Sequence, residues 1–539
     1  MRPSMIRIII SFLTILAFGI FQSAQAAPGS YNIVIEGGMI VDGTGGHRYY
    51  GDVGIKNGCI RKIGDLKNSP TIQRINARGL VVAPGFIDIH THTDEEIQKL
   101  PLARNYMQQG VTTMVGGNCG DSIYPVGEML AALKRLGLGI NFALFVGHAT
   151  IRKQVMGMAD RAPTQGELNK MKKLVAKAME QGAVGLSTGL YYAPGSYAKT
   201  EEIIELAKVV VQYGGIYTSH LRDESDYNIG LVAAVREAIE IGEKANIPVQ
   251  ISHLKALGKP VWGQSVEILN LVKTAGARGV DVTFDQYPYV ASATSLKGAL
   301  VPSWAQAGGD HKMKERLLNP ATRPKVREGM LDSLDKRGGP EKLFIATFTP
   351  DPKIEGKHLG EIGKIKGMEP VDAAIEILVS GDASVVSFNM LDEDLIRIMQ
   401  SPIGMVASDG SLVEFGKGVP HPRYYGTFPR VLGKYVREDG VLTLEEAVRK
   451  MTSAPANRIG LVDRGLIKEG MIADITIFNP DTVKDKATFE KPHQYPSGID
   501  YVIVKGQLAV SNGVWTGIKA GKVLYRQKSF TSLKAKPTP

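Results

Sequence analysis

The chain has 539 residues, 43% hydrophobic and 22% charged, enough to bury a large core and too many for one small domain. Its only cysteines, Cys59 and Cys119, exclude a disulfide framework, so the core must supply stability. The formal charge is +10, but the basic residues are scattered, without a stripe interleaved with aromatics. This argues against nucleic acid and leaves only a mild bias toward anionic ligands.

Residues 1–26 read as a secretory signal. Arg2 and Arg7 supply the basic start, residues 8–21 the apolar core and Ala24-Gln25-Ala26 the small-residue cleavage site. The competing reading is an uncleaved anchor, for which the apolar run is short. Cleavage removes Arg2 and Arg7 with no acid, taking the charge from +10 to +8. The mature chain is expected to be exported, to the periplasm of a bacterium, without stable membrane association.

Residues 31–76 then alternate in short strands, at 31–35, 38–41, 52–56 and 59–63, with a hairpin signal at Asn57-Gly58. The same pattern returns near the end, at 473–478, 499–504, 507–510 and 522–525. Between these halves strand and helix alternate, which predicts a parallel sheet covered by helices. Thr164 with Glu167, and Thr443 with Glu446, carry the spacing of capping boxes, the first opening an amphipathic helix over 164–181. After Asp285 a polar, helical stretch at about 300–342 interrupts the alternation and reads as an insertion over the active-site face, able to act as a lid. Residues 529–539 read as a loose tail.

The chemistry gathers at strand ends. Residues 83–92, APGFIDIHTH, deliver His90 and His92 to one face of an extended segment, where residues two apart point the same way. A bare His-x-His is weak evidence for a metal. Further apolar runs end in Cys119, His220, His253 and Asp409, and a parallel barrel collects such ends on one face. His148 closes another strand without an assignable ligand role.

These stretches, with QGVTTMVGGNCG, GLSTGLYYAPG, SHLRDE, ISHLK, DQYPY, ASDG, HPRYYGTFPRVLG and TSAPANRIGLVDRGLIKEGMIADITIF, resemble the amidohydrolase superfamily and within it the N-acyl-D-amino-acid deacylases. The resemblance covers about residues 31–525; Thr93 departs from it, standing where many relatives have an acid. It implies an α/β fold: a TIM-type (β/α)8 barrel over 81–455, with an insertion after barrel strand 7. A small β-sandwich would be formed by both chain ends, 27–80 and 456–528.

It also implies a site. Zn²⁺ would be held mainly by Cys119, His220 and His253, with His90 and His92 offering a second, weaker position that shares the thiolate. A soft thiolate with imidazoles favours zinc over magnesium or calcium. Many cyclic-amide hydrolases of the superfamily bridge two metals with a carbamylated lysine after the fourth strand; residues 183–187 carry none, and Cys119 takes that place. A disulfide between Cys59 and Cys119 would remove this ligand. Asp409 would be the general base and acid for attack of water ionised on the metal. Arg423 suits a bidentate pair with the substrate carboxylate, and Tyr192, Lys255, Tyr287 and Ser292 would line the same pocket, where Lys255, on the face of His253, would bind the α-carboxylate or an acidic side chain. The reaction expected is hydrolysis of N-acyl-D-amino acids to a carboxylate and a free D-amino acid. The alternatives are hydrolysis of dipeptides with a C-terminal D-residue or of cyclic amides, and a non-catalytic binding protein.

Overall fold

The computed structural model describes residues 30–525; the signal expected over 1–26 and the tail expected over 529–539 lie outside the described residues. Eight parallel strands follow one another around a ring. Phe86–Asp88 pairs with Val111–Gly116, and that strand pairs with a split third one, Asn141–Leu144 and Val146–Gly147. Gly185–Gly189, Ile216–His220, Val249–Ile251, Val282–Gln286 and Gly404–Val406 continue in order. The eighth closes on the first: the Asp409 amide donates to the His90 carbonyl at 3.0 Å, and the His92 amide to the Gly410 carbonyl at 2.8 Å. Nearly every residue of these strands is buried, as continuous apolar runs require when a parallel sheet is covered on both faces.

The helices Gln165–Glu180, Thr200–Gln212, Leu231–Ala245 and Ser265–Ala277 lie in the outer layer. The first starts from a full capping box: Thr164 Oγ1 accepts from the Glu167 amide at 3.3 Å, and Glu167 Oε2 accepts from the Thr164 amide at 2.7 Å. Its Met171, Val175 and Met179 are buried. The second box is only half made. Thr443 Oγ1 accepts from the Glu446 amide at 3.2 Å, but the Glu446 carboxylate turns to Arg449 at 2.7 Å instead of returning to the cap.

Both chain ends meet in one nine-stranded sheet, where Val81–Pro84 runs antiparallel to Ile475–Phe478. Ile35, Val53, Ile75, Val82, Ile475 and Ile503 form its core. The two strands predicted at 31–35 and 38–41 are a single strand, Tyr31–Ile40, bent by a bulge where Gly37 takes a φ of 68°. The strand predicted at 522–525 does not join this sheet. The Lys522 carbonyl accepts from the Phe142 amide at 2.9 Å and the Leu524 amide donates to the Phe142 carbonyl at 2.8 Å, so the segment is tied to the third barrel strand. Gly521 permits the approach, since a Cβ there would stand 2.1 Å from the Ile140 carbonyl oxygen.

Between the seventh and eighth barrel strands the chain builds a further layer. Helices Asp310–Leu318 and Arg323–Lys336 occupy the stretch expected at 300–342, and helices Leu359–Lys366 and Pro370–Ser380 follow. They accompany an antiparallel sheet of Ser292–Ser295, Ser384–Ser387 and Leu343–Thr347, with a core of its own around Leu300, Val326, Met330, Leu343 and Leu378. Among the described residues no helix is long and apolar enough to cross a membrane.

Candidate active site

The C-terminal strand ends surround a cavity of about 390 Å³. Cys119, His92, His220, His253 and Asp409 line it, and His90 is fully buried beneath. Cys119 Sγ stands 3.4 Å from His90 Nε2, 3.7 Å from His220 Nδ1 and 3.5 Å from His253 Nε2. Asp409 Oδ1 lies 3.0 Å from His92 Nε2 and 3.5 Å from His90 Nε2.

The backbone is bent to present these groups. Cys119, His253 and Asp409 have φ values of 53°, 36° and 50°, in the left-handed region that costs about 1–2 kcal/mol for a residue with a Cβ. Each sits just past its strand, where the side chain must swing inward. The His253 amide is anchored on Asp285 Oδ1 at 2.8 Å, and the Asp409 amide on the His90 carbonyl. Around Cys119 the loop closes so tightly that a Cβ on Gly117 would meet the Phe145 carbonyl oxygen at 2.2 Å, and one on Gly120 the Gly189 nitrogen at 2.7 Å.

Two carboxylates that the sequence pattern did not single out stand beside the imidazoles. Asp285 Oδ1 lies 3.2 Å from His90 Nδ1, leaving Nε2 toward the sulfur. Glu224 Oε1 lies 3.0 Å from His253 Nδ1 and accepts from Lys255 Nζ at 2.5 Å. Both stand in stretches that carry the family resemblance, Asp285 opening DQYPY at a barrel strand end and Glu224 closing SHLRDE, and that was the available signal.

Burial, reinforced for His253 by the Lys255 ammonium, keeps His220 and His253 well below the usual imidazole range, so both are neutral and can offer lone pairs. Burial alone would raise Asp409. The Arg423 guanidinium, 2.9 Å from Oδ2, together with the hydrogen bond to His92, outweighs it and holds the carboxyl well below the usual range. Burial pushes the Cys119 thiol well above its ordinary value, and the Asp409 and Glu224 charges add to this. A divalent cation is the partner that would reverse that balance and release the thiol proton.

The donor set fits zinc. Tetrahedral coordination at Zn–S of about 2.3 Å and Zn–N of about 2.05 Å puts sulfur and nitrogen about 3.6 Å apart, beside the 3.4–3.7 Å found around Cys119. Three groupings have their ligand atoms within 4.8 Å of one another: Cys119 with His220 and His253, Cys119 with His90 and His92, and His90 with His253 and Asp409. Cys59 and Cys119 are both free thiols.

Tyr192, Lys255, Tyr287, Ser292 and Arg423 all line the same cavity. Tyr192 Oη is 2.9 Å from Thr294 Oγ1, Ser292 Oγ donates to Asn389 Oδ1 at 3.2 Å, and the Arg423 guanidinium lies over the Tyr287 ring at 4.8 Å. His148 is not brought into the site: its Nε2 is 2.8 Å from Glu202, which also holds the buried Arg152.

The amidohydrolase family model matches residues 73–261 and 395–510. The chain is 36% identical to the D-aminoacylase of Alcaligenes xylosoxydans xylosoxydans, over 93% of this chain and 99% of that one. It is 37% identical to the N-acyl-D-glutamate deacylase of the same organism, over 93% and 97%. The N-acyl-D-glutamate deacylase of Bordetella bronchiseptica, solved with zinc and a phosphonate inhibitor that mimics the tetrahedral intermediate, superposes with a TM-score of 0.79 at 35% identity, covering 92% of this chain and 100% of that one. The chain therefore belongs to the amidohydrolase family, in the branch that holds the D-aminoacylase and the N-acyl-D-glutamate deacylases.

Proposed function

We propose that this protein is a zinc-dependent hydrolase that cleaves N-acyl-D-amino acids to a carboxylate and a free D-amino acid. The observation that carries the reading is one sulfur within 3.4–3.7 Å of three imidazole nitrogens, beside the Asp409 carboxylate, which is paired with Arg423 at 2.9 Å. Cys119, His220 and His253 would hold the tightly bound ion, and His90 and His92 would offer a second, weaker position. Zinc, when bound, brings a water to ionise near neutral pH and polarises the acyl carbonyl.

The chain's own residues do the rest. Asp409 Oδ1, lying between His90 and His92, takes the proton of the attacking water and later gives it to the leaving amine nitrogen. Arg423 fixes that carboxylate through Oδ2 and has further N–H groups for the substrate's α-carboxylate. Lys255 is engaged by Glu224, so it shapes the wall before it binds an anion. The D configuration is supported by the substrates named for the relatives. Residues 1–26 support export to the periplasm; recovery of the full-length, uncleaved chain in the cytosol would count against it.

The test is Asp409→Asn with amine release from N-acetyl-D-amino acids as readout. A loss of about a thousandfold in kcat with zinc content unchanged is expected. Undiminished hydrolysis with zinc bound would remove Asp409 from the mechanism.

A further inference from the structure

Arg337 follows the insertion helix Arg323–Lys336 and lines the active-site cavity while only 2% exposed. Its Nε donates to the Ala299 carbonyl at 2.9 Å, Nη1 to Ser387 Oγ at 3.2 Å and Nη2 to Tyr191 Oη at 3.4 Å. All three acceptors are neutral. A guanidinium has five N–H donors, so more remain than these bonds use. The other cations of the cavity each have a carboxylate, Lys255 that of Glu224 and Arg423 that of Asp409; Arg337 has none among the described residues. A buried cation without an anion is unfavourable, and here the open side is the substrate cavity. Next to it stands Tyr227, whose ring lies 5.4 Å from the guanidinium, whose hydroxyl is buried without a hydrogen-bond partner, and which lines the same cavity.

The place of this pair decides what anion it suits. In the proposed reaction the leaving nitrogen must reach Asp409, and the α-carboxylate is attached one carbon away from that nitrogen. The cation in contact with Asp409 is Arg423, at 2.9 Å. Arg337 makes no contact with Asp409; it touches Tyr191, whose ring lies 6.0 Å from that of His220. A carboxylate met there belongs to a longer arm of the substrate.

We infer that Arg337 and Tyr227 form a subsite for a carboxylate-bearing side chain, so that the substrate is an N-acyl-D-amino acid of the acidic class. This rests on the proposed reaction for its orientation of substrate. Arg337 acts as a specificity-determining residue, and its carboxylate partner arrives with the substrate.

The test compares kcat/KM of the zinc-loaded enzyme for N-acetyl-D-glutamate, N-acetyl-D-glutamine and N-acetyl-D-methionine, in the wild type, Arg337→Lys and Arg337→Met. The wild type should favour glutamate over glutamine by about ten- to a hundredfold, the range for a charge-assisted contact. The ratio should fall close to one in Arg337→Met, through KM, and stay above one in Arg337→Lys, which keeps the charge and guards against misfolding as the cause. A wild-type ratio of one or less, or an equal loss on all three substrates in Arg337→Met, overturns the subsite. A preference for N-succinyl- over N-acetyl-D-methionine that vanishes in Arg337→Met also overturns it, placing the anion on the acyl arm. Calorimetry with D-glutamate and D-glutamine separates the two readings. Glutamate binding that depends on Arg337, in an enzyme that cleaves no N-acyl-D-amino acid, upholds the subsite and overturns the reaction; equal binding of both amino acids overturns the subsite.

Discussion

Replacing Glu224 by glutamine separates two jobs that one carboxylate performs. His253 can turn Nε2 toward a metal only with its proton on Nδ1, and that proton needs an acceptor. Lys255 Nζ, 2.8 Å away, is an ammonium that can donate to Nδ1 in the metal-free chain but cannot accept a proton from it. Glu224 Oε1, 3.0 Å away, is the acceptor within reach, and it also balances the Lys255 charge at 2.5 Å. Glutamine keeps the shape and removes the charge. Leaving a buried ammonium unpaired should cost about 3–5 kcal/mol of stability, and loosening the imidazole should weaken zinc binding about 10- to 100-fold. Chemical unfolding of the metal-free protein reads the first effect, and chelator competition reads the second. The double variant Glu224→Gln with Lys255→Met removes both charges; it should recover most of the stability but none of the zinc affinity. Wild-type zinc affinity in the single variant, or its return in the double, would refute a role for Glu224 in orienting His253.

Asp285→Asn weakens the hold on both His90 and the His253 amide, so zinc content at a fixed chelator concentration should drop about tenfold or more; unchanged metal content would contradict this. Gly120→Ala drives a methyl against the Gly189 backbone at 2.7 Å from a φ of 85°, and should destabilise the fold by about 1–3 kcal/mol while displacing Cys119; a wild-type melting temperature and zinc content would contradict it. Asp88, fully buried, has its carboxyl pushed up to about 7 by that burial, against hydrogen bonds from Ser408 and His90. A folded value above the unfolded one means the folded chain holds a proton that the unfolded chain has released. The contribution of Asp88 to the stability of the metal-free protein should therefore be lost as pH rises from about 4 to about 7, and Asp88→Asn should shift the slope of stability against pH in the positive direction over that range; an unchanged slope would contradict the assignment.

The barrel and its floor were legible because they obey short-range rules. Apolar runs such as 111–116 and 216–220 read as buried strands, and closing parallel strands into a ring brings His90, Cys119, His220, His253 and Asp409 together whatever the intervening helices do. Glu224 and Asp285 were not legible as orienting groups, because their importance lies in which ring nitrogen each faces, and packing decides that. Arg337 was hidden for a similar reason: nothing local distinguishes it from the solvated basic residues of the same helix. The insertion looked like polar helices alone because its sheet joins Ser292–Ser295 to Ser384–Ser387, partners nearly a hundred residues apart. The 522–525 stretch alternated as a strand should, yet pattern alone gave no indication that its partner would be Phe142 in the barrel.

The most direct measurement is amine release from matched N-acetyl-D and N-acetyl-L amino acids, spanning Met, Leu, Glu, Asp and Lys, with the zinc content of the same sample. Hydrolysis of the D series alone is expected, lost on chelation and restored by zinc. Hydrolysis of the L series, or full activity in a sample stripped of metal, would contradict it.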